Sequence, residues 1–112
     1  MTNPLIRGTV DLLILKALSW GPRHGFGISA WLESQSAGSV VMDDSALYQA
    51  LHKLEARELV EARWKTTDNN RQARCYRLTS AGRAHLRSAT EAWLRSSHGV
   101  THILTLTRPA TD

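Results

Sequence analysis

Along the first twenty positions the apolar residues return at helical spacing. Val10, Leu13, Ile14, Ala17 and Leu18 follow an i, i+3, i+4, i+7, i+8 stripe, which predicts a helix over residues 5–19 with one buried face. Leu5, Leu12 and Leu15 lie off that stripe. A chain this small has one core, so a helix apolar on two sides is expected to meet a second subunit. Trp20-Gly21-Pro22 ends the pattern. A second helix is predicted over residues 25–36, with Ile28, Trp31 and Leu32 on one face. Gly25 and Gly27 lower its propensity at the start while allowing close packing there. Ala37-Gly38-Ser39 reads as a turn, and Val40, Val41 and Met42 as one short strand.

The third helix has the clearest start. Asp43, Asp44 and Ser45 offer capping oxygens and negative charge to the positive end of a helix. Leu47, Ala50, Leu51 and Leu54 then form a tight buried stripe. The opposite face carries Ser45, Gln49, His52 and Ala56, flanked by Tyr48 and Lys53. After this helix the period changes to two. Val60, Ala62 and Trp64 alternate with Glu61, Arg63 and Lys65, a half-buried strand. Residues 66–70 are turn formers, and Gln72–Leu78 reads as the return strand, with Arg74, Tyr76 and Leu78 on one side. Thr79 is the expected N-cap of a last helix. In it Gly82, Leu86, Ala89, Trp93, Ser96, Val100 and Ile103 recur at alternating steps of four and three, a heptad-like seam. Gly99 falls inside this segment, costs about 1 kcal/mol relative to Ala, and marks a candidate break.

Composition narrows the class. The 112 residues are 42% hydrophobic and 21% charged, a globular balance for one domain. The single Cys75 excludes an internal disulfide framework, and no apolar run is long enough to span a membrane. With no secretory signal pattern, a cytoplasmic protein is expected. The net charge of +4 is unevenly placed. Arg63, Lys65, Arg71, Arg74, Arg77, Arg83 and Arg87 face only Asp68 within residues 63–87, so the rest of the chain is slightly acidic. A basic block of this kind points to a polyanion, most simply nucleic acid.

Three short helices, a basic hairpin and a closing helix predict a mainly helical α+β fold, a winged helix-turn-helix with a C-terminal dimerisation helix. In that arrangement the third helix enters the major groove of DNA and the hairpin reaches along the duplex. Ser45, Gln49 and His52 are then the candidates for base edges, Gln being able to bond adenine bidentately. Tyr48, Lys53, Arg71 and Arg74 are candidates for phosphates. The expected limits are residues 1–78 for the DNA-binding domain, 79–106 for the dimerisation helix and 107–112 for a tail. Leu5, Leu12, Leu15, Leu86, Ala89, Trp93, Val100 and Ile103 are the expected dimer contacts. The expected partners are double-stranded DNA and a second copy of the chain, with no membrane, metal or cofactor.

The same segments resemble a known family. Residues 12–18 (LLILKAL) and 21–28 (GPRHGFGI) resemble the opening of PadR-type transcriptional regulators. Residues 45–55 (SALYQALHKLE) resemble their recognition helix, and 69–82 (NNRQARCYRLTSAG) their wing and the start of their last helix. The resemblance runs over about residues 5–95 in order and without gaps. It implies a cytoplasmic homodimer that binds operator DNA, usually as a repressor. By matching position it adds Asn69 and Asn70 to the wing contacts already named. Phe26 stands where Tyr is usual, Glu58 where a helix-ending Gly is usual, and Gln49 where Pro is frequent. The segment after Trp93 is atypical for the family.

Other chemistries are weaker. No Gly-rich phosphate loop, cysteine pair or organised acid–base set is present, so an enzyme is not expected. His98 and His102 share a helical face but lack a third ligand, and read as a solvated pair. Cys75 reads as a small residue filling a strand rather than a redox sensor. Trp93 reads as dimer packing first, with lining of a small-molecule effector pocket the minority role. A winged-helix module that binds only protein is the alternative, and it would not need so concentrated a basic block.

Overall fold

The computed structural model describes residues 9–109. Its elements run α1 (Val10–Leu18), β1 (Arg23–His24), α2 (Gly25–Gln35), α3 (Asp44–Ala56), β2 (Val60–Thr66), β3 (Gln72–Leu78) and α4 (Ser80–Leu104). β3 lies between β1 and β2 and is antiparallel to both, with Arg23 opposite Tyr76 and Val60 opposite Leu78. This is the mainly helical α+β winged-helix arrangement that the element order predicts.

The core gathers Ile14 and Leu18 of α1, Ile28 and Leu32 of α2, Leu47, Ala50, Leu51 and Leu54 of α3, and Val60 and Tyr76 of the sheet. The α3 stripe is buried as its spacing predicts. α1 differs: Leu15, expected on a face left for a partner, is 0% exposed. α1 touches α2, α3, α4 and β3, so its buried arc is wider than the stripe alone, and Leu15 belongs to this chain's own core. Val10 and Leu13, by contrast, are half-buried at the rim.

Residues 40–42 form no strand. They link α2 to α3, with Val40 and Met42 against the core and Val41 exposed. The third strand is instead Arg23–His24, which adds to the free edge of β3. Two residues are too few to show alternation, so sequence periodicity does not mark it.

Side chains close the N-terminal ends of α3 and α4. Asp43 Oδ1 accepts from the Ala46 N–H at 2.7 Å, and Thr79 Oγ1 accepts from the Gly82 N–H at 2.9 Å. The Thr79 hydroxyl also donates to the Glu58 carbonyl at 2.7 Å, and its N–H donates to the Leu59 carbonyl at 3.1 Å. The cap of α4 therefore clasps the exit of α3. That exit is a Schellman turn: the Leu59 N–H reaches the Leu54 carbonyl and the Glu58 N–H the Glu55 carbonyl. Glu58 sits there at φ +61°, so it takes the left-handed turn that a glycine would take, and the junction into β2 keeps that shape. A left-handed non-glycine costs about 1–2 kcal/mol, part of which glycine's unfolded-state entropy returns. Glu58→Gly is therefore expected to stabilise the chain by about 1 kcal/mol, a rise of several degrees in Tm by calorimetry. An unchanged or lower Tm would contradict the strain.

α4 runs unbroken through Gly99, where open space surrounds the backbone. Its 25 residues extend about 37 Å. The molecule is 64 Å long, and its radius of gyration of 16.6 Å exceeds the roughly 13 Å of a compact chain this size. The excess is α4. Over residues 91–109 every residue except half-buried Ser97 is exposed.

Candidate nucleic-acid interface

Because α3 buries Leu47, Ala50, Leu51 and Leu54, the remaining face turns to solvent. Ser45, Tyr48, Gln49, His52 and Lys53 are all exposed and line one shallow depression with Asp44. No carboxylate other than Asp44 shares it, so the surface offers mixed donors and acceptors with a basic end. Tyr48 also leans inward. A Cβ placed on Gly25 would lie 2.6 Å from the Tyr48 hydroxyl, so the ring rests on the start of α2 and braces the two helices.

The wing tip is ordered by its backbone. The Thr67 N–H donates to the Arg71 carbonyl at 2.7 Å, and the Asn70 N–H to the Thr67 carbonyl at 2.9 Å. Asn70 takes φ +61°, a conformation asparagine tolerates. Asn69, Asn70 and Arg71 are exposed there. Between α3, the start of α2 and the wing lies an open groove of about 1020 Å³, lined by Tyr48, His52, Asn69 and Arg71 among others. The exposed face of α3 and the wing tip thus border one space.

Arg74, expected among the phosphate contacts, is ion-paired within the chain. Its Nη2 donates to Glu55 Oε2 at 2.8 Å, and the guanidinium lies 5.8 Å from the Trp64 ring and 5.7 Å from that of Tyr76. Alternation along β3 turns Arg74 toward α3, where its charge is matched; it positions the helix against the wing. Burial pushes the Tyr76 phenol up, and the Arg74 charge beside it only partly opposes the rise, so the ring stays neutral.

The basic block is likewise divided. Arg77 pairs with Glu61 directly across the strands, while Arg83 and Arg87 lie on α4. Arg63, Lys65 and Arg71 remain exposed on the wing. Cys75 is buried in β3. His98 and His102 are exposed on α4, and no group of three or more His, Cys, Asp or Glu among the described residues is placed to hold a metal. No described helix is long and apolar enough to cross a membrane.

Of the expected dimer contacts, Leu5 lies outside the described residues. Leu12 and Ala89 are half-buried beside Trp93 in a groove between α1 and α4. Leu86 is half-buried against its own core, and the seam's first member, Gly82, is buried beneath the Leu59 carbonyl. Trp93, Val100 and Ile103 are exposed, as is Leu104, which the heptad count omits.

Two groove residues escape a sequence reading. Phe26 lies about 200° from Ile28 on a helical wheel, the one available signal that it faces outward. Trp64 shares the inward side of β2 with Val60 and Ala62, but the hairpin extends past the core and leaves it exposed. Nothing in the alternation marks where the core ends.

The chain is 29% identical over 91 residues to an uncharacterized protein of Lysinibacillus sphaericus, covering 81% of this chain and 84% of that one. A PadR-family transcriptional regulator from Eggerthella lenta superposes with a TM-score of 0.78 at 25% identity, covering 92% of this chain and 88% of the other. A transcriptional regulator from Clostridium thermocellum shares the fold at a TM-score of 0.81 and 24% identity, over 89% of this chain and 97% of that one. The model of the transcriptional regulator PadR-like family matches residues 14–88, a span that takes in the core, α3, the wing and the start of α4; the chain belongs to that family of transcriptional regulators.

Proposed function

We propose that the protein is a cytoplasmic, sequence-specific DNA-binding repressor that acts as a homodimer on a pseudo-palindromic operator. The observation that carries this reading is the shared groove: the polar face of α3 and the ordered wing tip open on the same side. Ser45, Gln49 and His52 read base edges, while Tyr48, Lys53, Asn69, Asn70 and Arg71 hold the backbone. Arg74 acts through Glu55, fixing the distance between helix and wing. α4 joins the two copies and sets their recognition helices about 34 Å apart, one turn of DNA.

Lys53 and Arg71, joined by exposed Lys65 from the outer side of the wing, give about three phosphate contacts per protomer. Neutralising about six phosphates per dimer makes log K fall with log salt at a slope of about −5. Gln49→Ala is expected to lose about 1–3 kcal/mol on a selected operator and to relax its preference. Arg71→Ala is expected to weaken operator and random duplex alike and to flatten the slope by about one unit for each phosphate left unneutralised. Titration of labelled duplexes at several salt concentrations measures both. Salt-independent binding, or none to duplex DNA, would overturn the reading in favour of a module that binds protein.

A further inference from the structure

Two side chains around the groove are large, apolar and left mostly to solvent. Phe26, on the first turn of α2, is 78% exposed, and Trp64, on β2, is 66% exposed. Both line the groove that α3 and the wing tip border. Trp64 is held on one side by the ion-paired Arg74 guanidinium, which leaves most of the ring to solvent. Exposed aromatics framed by polar groups mark a contact surface.

The walls say what the occupant is. Arg71 lines the groove at the wing tip, facing only Asp68 among its carboxylates, and Lys53 stands on the adjoining face of α3 at the end away from Asp44; Arg74, in the same wall, is already matched by Glu55. An occupant that meets cations at the rim and aromatic rings between them carries anions and apolar surface in alternation. A DNA strand has this character, with phosphates separated by deoxyribose rings.

We propose that Phe26 and Trp64 close on the sugar edge of a duplex strand lying in this groove and supply the salt-independent share of its affinity. The inference rests on the reading that α3 and the wing bind duplex DNA. Its signature follows from the physics: covering apolar carbon removes it from water but releases no counterion. Affinity therefore falls when the rings are removed, and the salt slope stays.

The test uses the full chain and labelled, sheared genomic duplex DNA, titrated at several salt concentrations, with Tm measured for each variant. Phe26→Ala and Trp64→Ala are each expected to weaken binding about tenfold and the double variant about a hundredfold, with slope and Tm as in the wild type. Phe26→Leu, which keeps apolar bulk, is expected to retain most of the affinity. A double variant that binds like the wild type would overturn the inference. So would a slope flattened by about one unit, which would assign the loss to a phosphate contact, or a Tm that falls with affinity, which would make the rings packing residues. A wild type that binds no duplex at all would remove the underlying DNA-binding reading, an outcome separate from a failure of the rings alone.

Discussion

Gly82→Ala is expected to destabilise the chain by about 3 kcal/mol and to lower its Tm by about 15 °C. A Cβ at this position would lie 2.0 Å from the Leu59 carbonyl oxygen and 3.1 Å from a Leu78 methyl. The oxygen is backbone and cannot swing away. It already accepts the Thr79 N–H, so retreat would also strain the clasp between α4 and the exit of α3. A loss of that size is a large part of the 5–15 kcal/mol typical of a whole domain. Gly99→Ala is the internal control, being the same change in the same helix with open space around it. It is expected to be neutral or to stabilise by up to about 1 kcal/mol. Calorimetry of the two variants side by side decides the matter: equal melting temperatures would show that the close approach at Gly82 carries no energetic weight.

Trp93→Ala is expected to weaken the proposed dimer by about 2–4 kcal/mol, as truncation of a buried aromatic anchor does. The ring is 44% exposed in the single chain, with the rest leaning on the groove beside Leu12 and Ala89. Trp93, Val100 and Leu104 fall within about 40° of one another on the outer half of α4. That half touches almost nothing in its own chain, and an isolated helix of so few turns is marginal in water. A second copy laid along the stripe would bury it and hold the helix. Sedimentation at micromolar concentration is the direct measurement, and DNA affinity should fall with dimer stability although no DNA contact is touched. A wild-type monomer, or a variant that dimerises and binds DNA normally, would sink the proposal.

What periodicity and capping chemistry encode was legible in the residues. The α3 stripe, the Asp43 and Thr79 caps, the limits of β3 and the change of period at Val60 all appear where the spacing puts them. Each depends on residues a few positions apart, and local backbone geometry converts that spacing directly into a face or an end. The exposed set on α3 follows by subtraction once its apolar stripe is buried.

Other features depend on neighbours far along the chain. Leu15 is core because α2, α3 and α4 surround α1, which a single helical wheel does not contain. Arg74 counts as one more positive charge in composition, but folding brings Glu55 to it and matches that charge. β1 exists only because β3 offers it an edge. Gly82 looks like a member of an apolar seam until Leu59 is placed above it. By itself, then, the sequence determined the helices, the hairpin and the face of α3 left to solvent. Which apolar residues are spent inside the chain, which charges are already matched and where the wing outruns the core were decided by the tertiary structure alone, because burial and ion pairing depend on distances in space.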